Sequence, residues 1–131
     1  MNWPAVGAIL LTLAVMLGAF GAHALRGYLD AHSMSIWEKA IFYHFVHALG
    51  LLMAGVMSAA GMISAKGARR VSALLFAGIL LFSGSLYALA ISGQRYLGAV
   101  TPFGGIAFIA AWLSLAIELF RRHRRDSNGI S

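Results

Sequence analysis

Residues 40–65 read AIFYHFVHALGLLMAGVMSAAGMISA, a run without a single Asp, Glu, Lys or Arg. At 1.5 Å per residue such a helix is about 39 Å long, more than the roughly 30 Å of a bilayer's hydrocarbon core. Its apolar residues show no one-sided stripe, so no face is reserved for water. Three further charge-free runs occupy residues 1–25, 71–94 and 96–117. A water-soluble domain of 131 residues cannot bury four helices that are apolar all round, whereas lipid solvates every face of them. The fold class that follows is all-α: a polytopic membrane protein built as an antiparallel bundle of four transmembrane helices.

Composition agrees, with 60% hydrophobic and 11% charged residues, against about 25% charged in a soluble domain. Nearly every residue lies in or beside the membrane, so any chemistry must be assembled from helix faces and short loops. The absence of cysteine excludes disulfides, thiolate metal sites and a cysteine nucleophile. The formal charge of +6 raises the question of nucleic acid, and the placement of the cations answers it. Lys66, Arg69, Arg70, Arg121, Arg122, Arg124 and Arg125 fall at one end of the spans, and only Arg26, Lys39 and Arg95 at the other. This is the positive-inside asymmetry of a bacterial plasma-membrane protein with both termini cytoplasmic. The basic tail at residues 121–131 then anchors topology beside anionic lipid. The expected partners are membrane lipids and a second copy or another membrane protein, not nucleic acid.

The first run resembles a signal peptide in its Ala22-His23-Ala24 segment. However, no cation precedes it and its apolar stretch exceeds the 7–15 residues of a signal core, so it is expected to be retained. Helices are expected over about 3–22, 36–62, 71–91 and 102–120, in a single transmembrane domain spanning 1–120. Pro4 suits a first helical turn, and Ser35-Ile36-Trp37-Glu38 has the form of a capping box, which gives Glu38 a structural role and puts Trp37 in the interfacial belt. Thr101-Pro102 reads as another helix start. Gly18 and Ala22 on the first helix and Gly84 and Ala88 on the third form smooth faces, expected to pack against each other. Glu118 lies three and four residues before Arg121 and Arg122, the spacing of a helix-surface ion pair.

Polar side chains inside a span are costly and therefore candidates for function. His44 and His47 are about 60 degrees apart on one helix face. Counted from the span midpoints at 1.5 Å per residue, His44 lies about 13 Å, His47 about 8 Å, Tyr87 about 7 Å and Thr101 about 8 Å toward the outer surface. With His23 ending the first helix on the same side, these five residues form one candidate polar pocket. A histidine there can change charge near physiological pH, which suits passage or binding of a proton or small solute. The competing reading is that the layer only fixes helix rotation through hydrogen bonds, in a structural or accessory subunit. No metal is expected, because the histidines lack a carboxylate facing the same way. Ser83-Gly84-Ser85 lacks the strand-turn-helix setting of a nucleophile elbow, so no enzyme is expected, and no cofactor.

The segments Gly18–Leu25, Tyr43–Leu49, Phe82–Tyr87 and Thr101–Gly105 together resemble the YgdD-like family of small bacterial inner-membrane proteins, which has a small eukaryotic transmembrane counterpart. That resemblance implies a four-helix membrane protein of unassigned biochemical function. It brings no catalytic or ligand residues.

Overall fold

The first helix opens where the sequence supplies a cap. The Asn2 side chain accepts the Ala5 N–H at 3.2 Å, and Pro4 occupies a first-turn position where its missing N–H costs nothing. In the computed structural model, which describes residues 1–130, α1 runs Trp3–Phe20 and continues through a π turn at Gly21–Leu25. Next come α2 (Ala31–Ala59), α3 (Ala65–Gly78), a second π turn (Ile79–Ser83) and α4 (Gly84–Ser92). A 3-10 turn (Arg95–Ala99) leads into α5 (Thr101–Asn128). No strand occurs among the described residues. Four spans result, Trp3–Leu25, Ala31–Ala59, Ala65–Ser92 and Arg95–Asn128, each long and apolar enough to cross a membrane. Both termini lie at one end of the bundle, called the terminal end below; the other is the far end.

Several boundaries differ from the sequence expectation. The second span begins at Ala31, five residues before Ile36, because Asp30 is its N-cap and accepts the Ser33 N–H at 2.7 Å. That bond holds the Asp30 carboxyl below its ordinary range. The Ser35–Glu38 capping box therefore does not form, and Glu38 is an exposed side chain inside α2. Similarly, Ser64 caps α3 by accepting the Gly67 N–H at 2.9 Å, which starts the third span at Ala65 and not at Val71. The basic tail is the helical continuation of α5 as far as Asn128. Gly61, at φ +69°, provides the left-handed residue that stops the chain after α2 and turns it toward α3.

Packing centres on α2. Its Ala40, Ala48, Leu51 and Ala54 are fully enclosed, and they join Val71 and Leu75 of α3 with Phe108 and Ala111 of α5 in the core. Lipid tails give helices no hydrophobic reason to associate, so close backbone approach and shape carry the assembly. Gly7 lets α1 lie against the backbone of Ala48 and Leu52, and Gly104 lets α5 lie against the backbone of Phe82. The expected contact between the Gly18/Ala22 and Gly84/Ala88 faces is absent. α1 packs along α2, where Gly18 meets Ile41, while Ala22, Gly84 and Ala88 are exposed. The reason is that α2 presents small residues of its own on both sides, and so separates α1 from α4. Large apolar side chains line the outside, among them Phe42, Phe103 and Ile109, each more than 60% exposed. That surface is what lipid would cover.

Candidate functional site

In the far half of the bundle, the helical phase of α2 turns His44 and His47 inward and buries both rings, which lie near the midpoint of Ala31–Ala59 instead of the roughly 13 Å and 8 Å outward counted from the sequence. His44 faces α4, and its Nδ1 lies 3.0 Å from the Tyr87 hydroxyl. Its Nε2 is buried, on a ring exposed by only 3%, and makes no hydrogen bond of ordinary geometry, while the Leu10 carbonyl of α1 lies close enough to act on the imidazole. Trp37 closes the same region. Its ring sits 4.7 Å from that of Tyr87 and its indole N–H donates to the Leu17 carbonyl at 3.2 Å, so it is a core residue tying α1 to α2 and not an interfacial one.

His47 has a different environment. Its Nδ1 is 2.6 Å from the Tyr43 carbonyl, and because a carbonyl only accepts, Nδ1 carries the proton. The ring stacks on Phe108 of α5 at 3.5 Å between centroids, with Tyr43 and Trp112 beside it. Thr101 joins neither histidine: its hydroxyl lies 2.6 Å from that of Ser85, which also donates to the Phe82 carbonyl. Ser83, fully buried at the end of the π turn, donates to the Ala40 carbonyl at 2.8 Å and pins the third span to the second. His23 is exposed on the first π turn. The five sequence candidates therefore divide into a His44–Tyr87 pair, a histidine locked among aromatic rings, a Ser85–Thr101 pair and an exposed His23. No group of three or more His, Asp or Glu side chains suited to a metal occurs among the described residues.

The terminal end holds a second polar cluster. Glu118 of α5 accepts from the Ser64 N–H at 3.2 Å and from its hydroxyl at 2.9 Å, and its other oxygen pairs with Arg70 at 3.2 Å. Its carboxylate thus completes the N-terminal cap of α3, where the helix dipole favours negative charge. Gly67 leaves the space it occupies, since a Cβ there would collide with the carboxylate. One turn further, Arg122 reaches the Gly61 carbonyl and pairs with Asp126 at 3.4 Å. These bonds clasp the α2–α3 turn to α5. Of the expected pairing with Arg121 and Arg122, only the nearby charge of Arg121 acts on Glu118, and its direct partners lie 48 and 54 residues away in sequence. Sequence spacing along one helix cannot reveal such a contact, although Ser64 followed by Gly67 hinted at a cap with room beside it.

Fold and surface together define a small polytopic membrane protein of four spans with two polar clusters. The chain belongs to the family described as "Protein of unknown function (DUF423)", whose model matches residues 17–105. It is similar to UPF0382 membrane proteins of Gram-positive bacteria. The relative from Staphylococcus haemolyticus is 48% identical over 88% of this chain and 93% of its own length. That from Staphylococcus epidermidis strain RP62A is 51% identical over the same shares of both chains. UPF0382 membrane protein YwdK of Bacillus subtilis is 44% identical over 86% of this chain and 90% of its own. No solved structure matches the chain significantly.

Proposed function

We propose that the protein is a non-enzymatic component of the bacterial plasma membrane, with both termini cytoplasmic, that binds a proton or a small polar solute in the far half of the bundle through the His44–Tyr87 pair. The observation that carries this reading is the buried Nε2 of His44, which makes no hydrogen bond of ordinary geometry on a ring that has only the Tyr87 hydroxyl and the Leu10 carbonyl for polar neighbours. A buried polar nitrogen left without a partner costs about 1–3 kcal/mol, and a proton with its accompanying water, or a solute hydroxyl, is the kind of ligand that offsets it. Tyr87 faces the imidazole from α4 and the Leu10 carbonyl from α1, and no charged side chain acts on it. The uncompensated ring can therefore change charge without first breaking an ion pair. The YgdD-like resemblance fits this reading as far as a small inner-membrane protein goes, and the cation asymmetry supports cytoplasmic termini.

A second reading has its own support. His47, Ser83, Ser85 and Thr101 all find partners within the helix packing, as expected of a layer that only orients helices in an accessory subunit. His44→Asn separates the two readings, since an amide keeps a hydrogen-bonding group near Tyr87 but cannot titrate. With Trp3 and Trp112 replaced by Phe, the fluorescence of Trp37 reports on the neighbouring Tyr87. The proton-site reading expects a pH-dependent emission change in the parent that H44N abolishes while the fold is kept. An unchanged pH response in folded H44N would leave the orienting role as the better account.

A further inference from the structure

The terminal end contains a feature that neither reading uses. A cavity of about 410 Å3 lies between the Gly61–Ser64 turn and the last turns of α5, lined by Met62, Ile63, Arg121, Arg122 and Arg125 along with the two carboxylates of the clasp. Both carboxylates are committed, Glu118 to Ser64 and Arg70, and Asp126 to Arg122. Arg121 acts on Glu118 as a nearby charge without closing an ion pair, and Arg125 closes none among the described residues, so the cations of the cavity exceed its acids.

Its position makes the arrangement specific. The apolar run of the fourth span ends at residue 117, one turn before Arg121, and the cavity wall itself includes the apolar Ile63 and the exposed apolar side chain of Met62. Guanidinium groups next to an apolar rim, at the depth where a span leaves hydrocarbon, match an amphiphile with a phosphate head and acyl tails. Lysine-like general attraction would need no concavity, whereas a cavity lined by two guanidiniums outside any direct ion pair can hold one phosphodiester at a defined place.

We propose that this cavity is a binding site for a single anionic phospholipid headgroup, held by Arg121 and Arg125 and seated against the Gly61–Ser64 turn. The site is independent of His44 and of the direction in which the protein faces, since its chemistry depends only on the interface at the terminal end. It also gives the helical extension of α5 a role, because only an ordered helix keeps Arg121 and Arg125 on the same side, four residues apart.

Native mass spectrometry of the full chain released from neutral detergent tests the site directly, with dioleoylphosphatidylglycerol and dioleoylphosphatidylcholine as probes. The expected result is one retained phosphatidylglycerol per chain, with a preference over phosphatidylcholine of about thirtyfold from two cations at the interface. R121Q/R125Q is expected to lose that preference. R124Q, which removes the same kind of charge from a residue outside the cavity, is expected to keep it. Equal retention of the two lipids by the parent, or a loss in R124Q as large as in the double variant, would show general attraction by the tail and overturn the proposal. Displacement of the lipid by millimolar inorganic phosphate would also overturn it, by assigning the cavity to a free anion.

Discussion

The two ends of the bundle solve opposite problems. At the far end, polar side chains are dispersed into separate pairs, each satisfied by its own helix or by one neighbour, with His44 as the exception. At the terminal end, one carboxylate gathers donors from α3 and from the preceding turn and joins them to α5. The difference teaches that a polar residue's worth inside a membrane protein depends on the span of chain it connects. Glu118 bridges elements far apart in sequence, while His47 bonds to a carbonyl four residues back in its own helix.

The largest effect is therefore expected at the terminal end. Glu118→Ala removes three bonds at once and leaves the Ser64 N–H and the Arg70 guanidinium without their acceptor, a loss of roughly 2–3 kcal/mol given the usual worth of charged hydrogen bonds. Reversible unfolding in mixed micelles measures it, and a loss no greater than that of His47→Leu would break the contrast between the ends. Gly67→Ala should cost roughly 1–2 kcal/mol by displacing the same carboxylate. Because both changes act on one group, the double variant should fall well short of the sum, and additivity would contradict the clasp.

At the far end the expected losses are smaller. His47→Leu removes one bond but leaves an apolar side chain in contact with Phe108, and about 0.6 kcal/mol is the usual cost of an interhelical or local hydrogen bond in membrane proteins. Thr101→Val should cost no more than that, since Ser85 retains its bond to the Phe82 carbonyl. A loss of several kcal/mol in either variant, by the same micelle assay, would mean that the far end is as cooperative as the clasp. The orientation carries no stability change and is read by labelling single cysteines in cells. Positions 68 and 126 should be shielded from an impermeant reagent and positions 30 and 95 reached by it; the reverse pattern would invert the assignment of the two faces.

Much of this architecture could be read from the run at residues 40–65 and its three counterparts, because the lack of charge over a bilayer-length segment is a property of the sequence alone. The inward turn of His44 and His47 was also predictable from helical spacing. Four features were not. The first was the start of α2, where Asp30 outcompetes Ser35 as a cap because the helix is already formed by the time Ser35 is reached. The second was the pairing of small faces, since several spans carry them and only three-dimensional order decides that α1 meets α2. The third was the division of the histidines between different neighbours, which depends on where Tyr87 and Phe108 arrive from other spans. The fourth was Glu118, whose nearest cations in sequence concealed partners much further along the chain.

The account rests most on the distinction between the two buried imidazoles, and nitrogen NMR of the 15N-histidine-labelled protein in lipid nanodiscs, with H44N and H47L for assignment, tests it. At about pH 8 His47 should be the neutral tautomer protonated on Nδ1, held by the Tyr43 carbonyl, and between about pH 8 and 4 the His44 shifts should move as its protonation changes. A His44 that stays neutral with fixed shifts over that range, or a His47 protonated on Nε2 alone at the upper end of it, would contradict the proposal that the His44 ring, and not the anchored ring of His47, is the functional point of this layer.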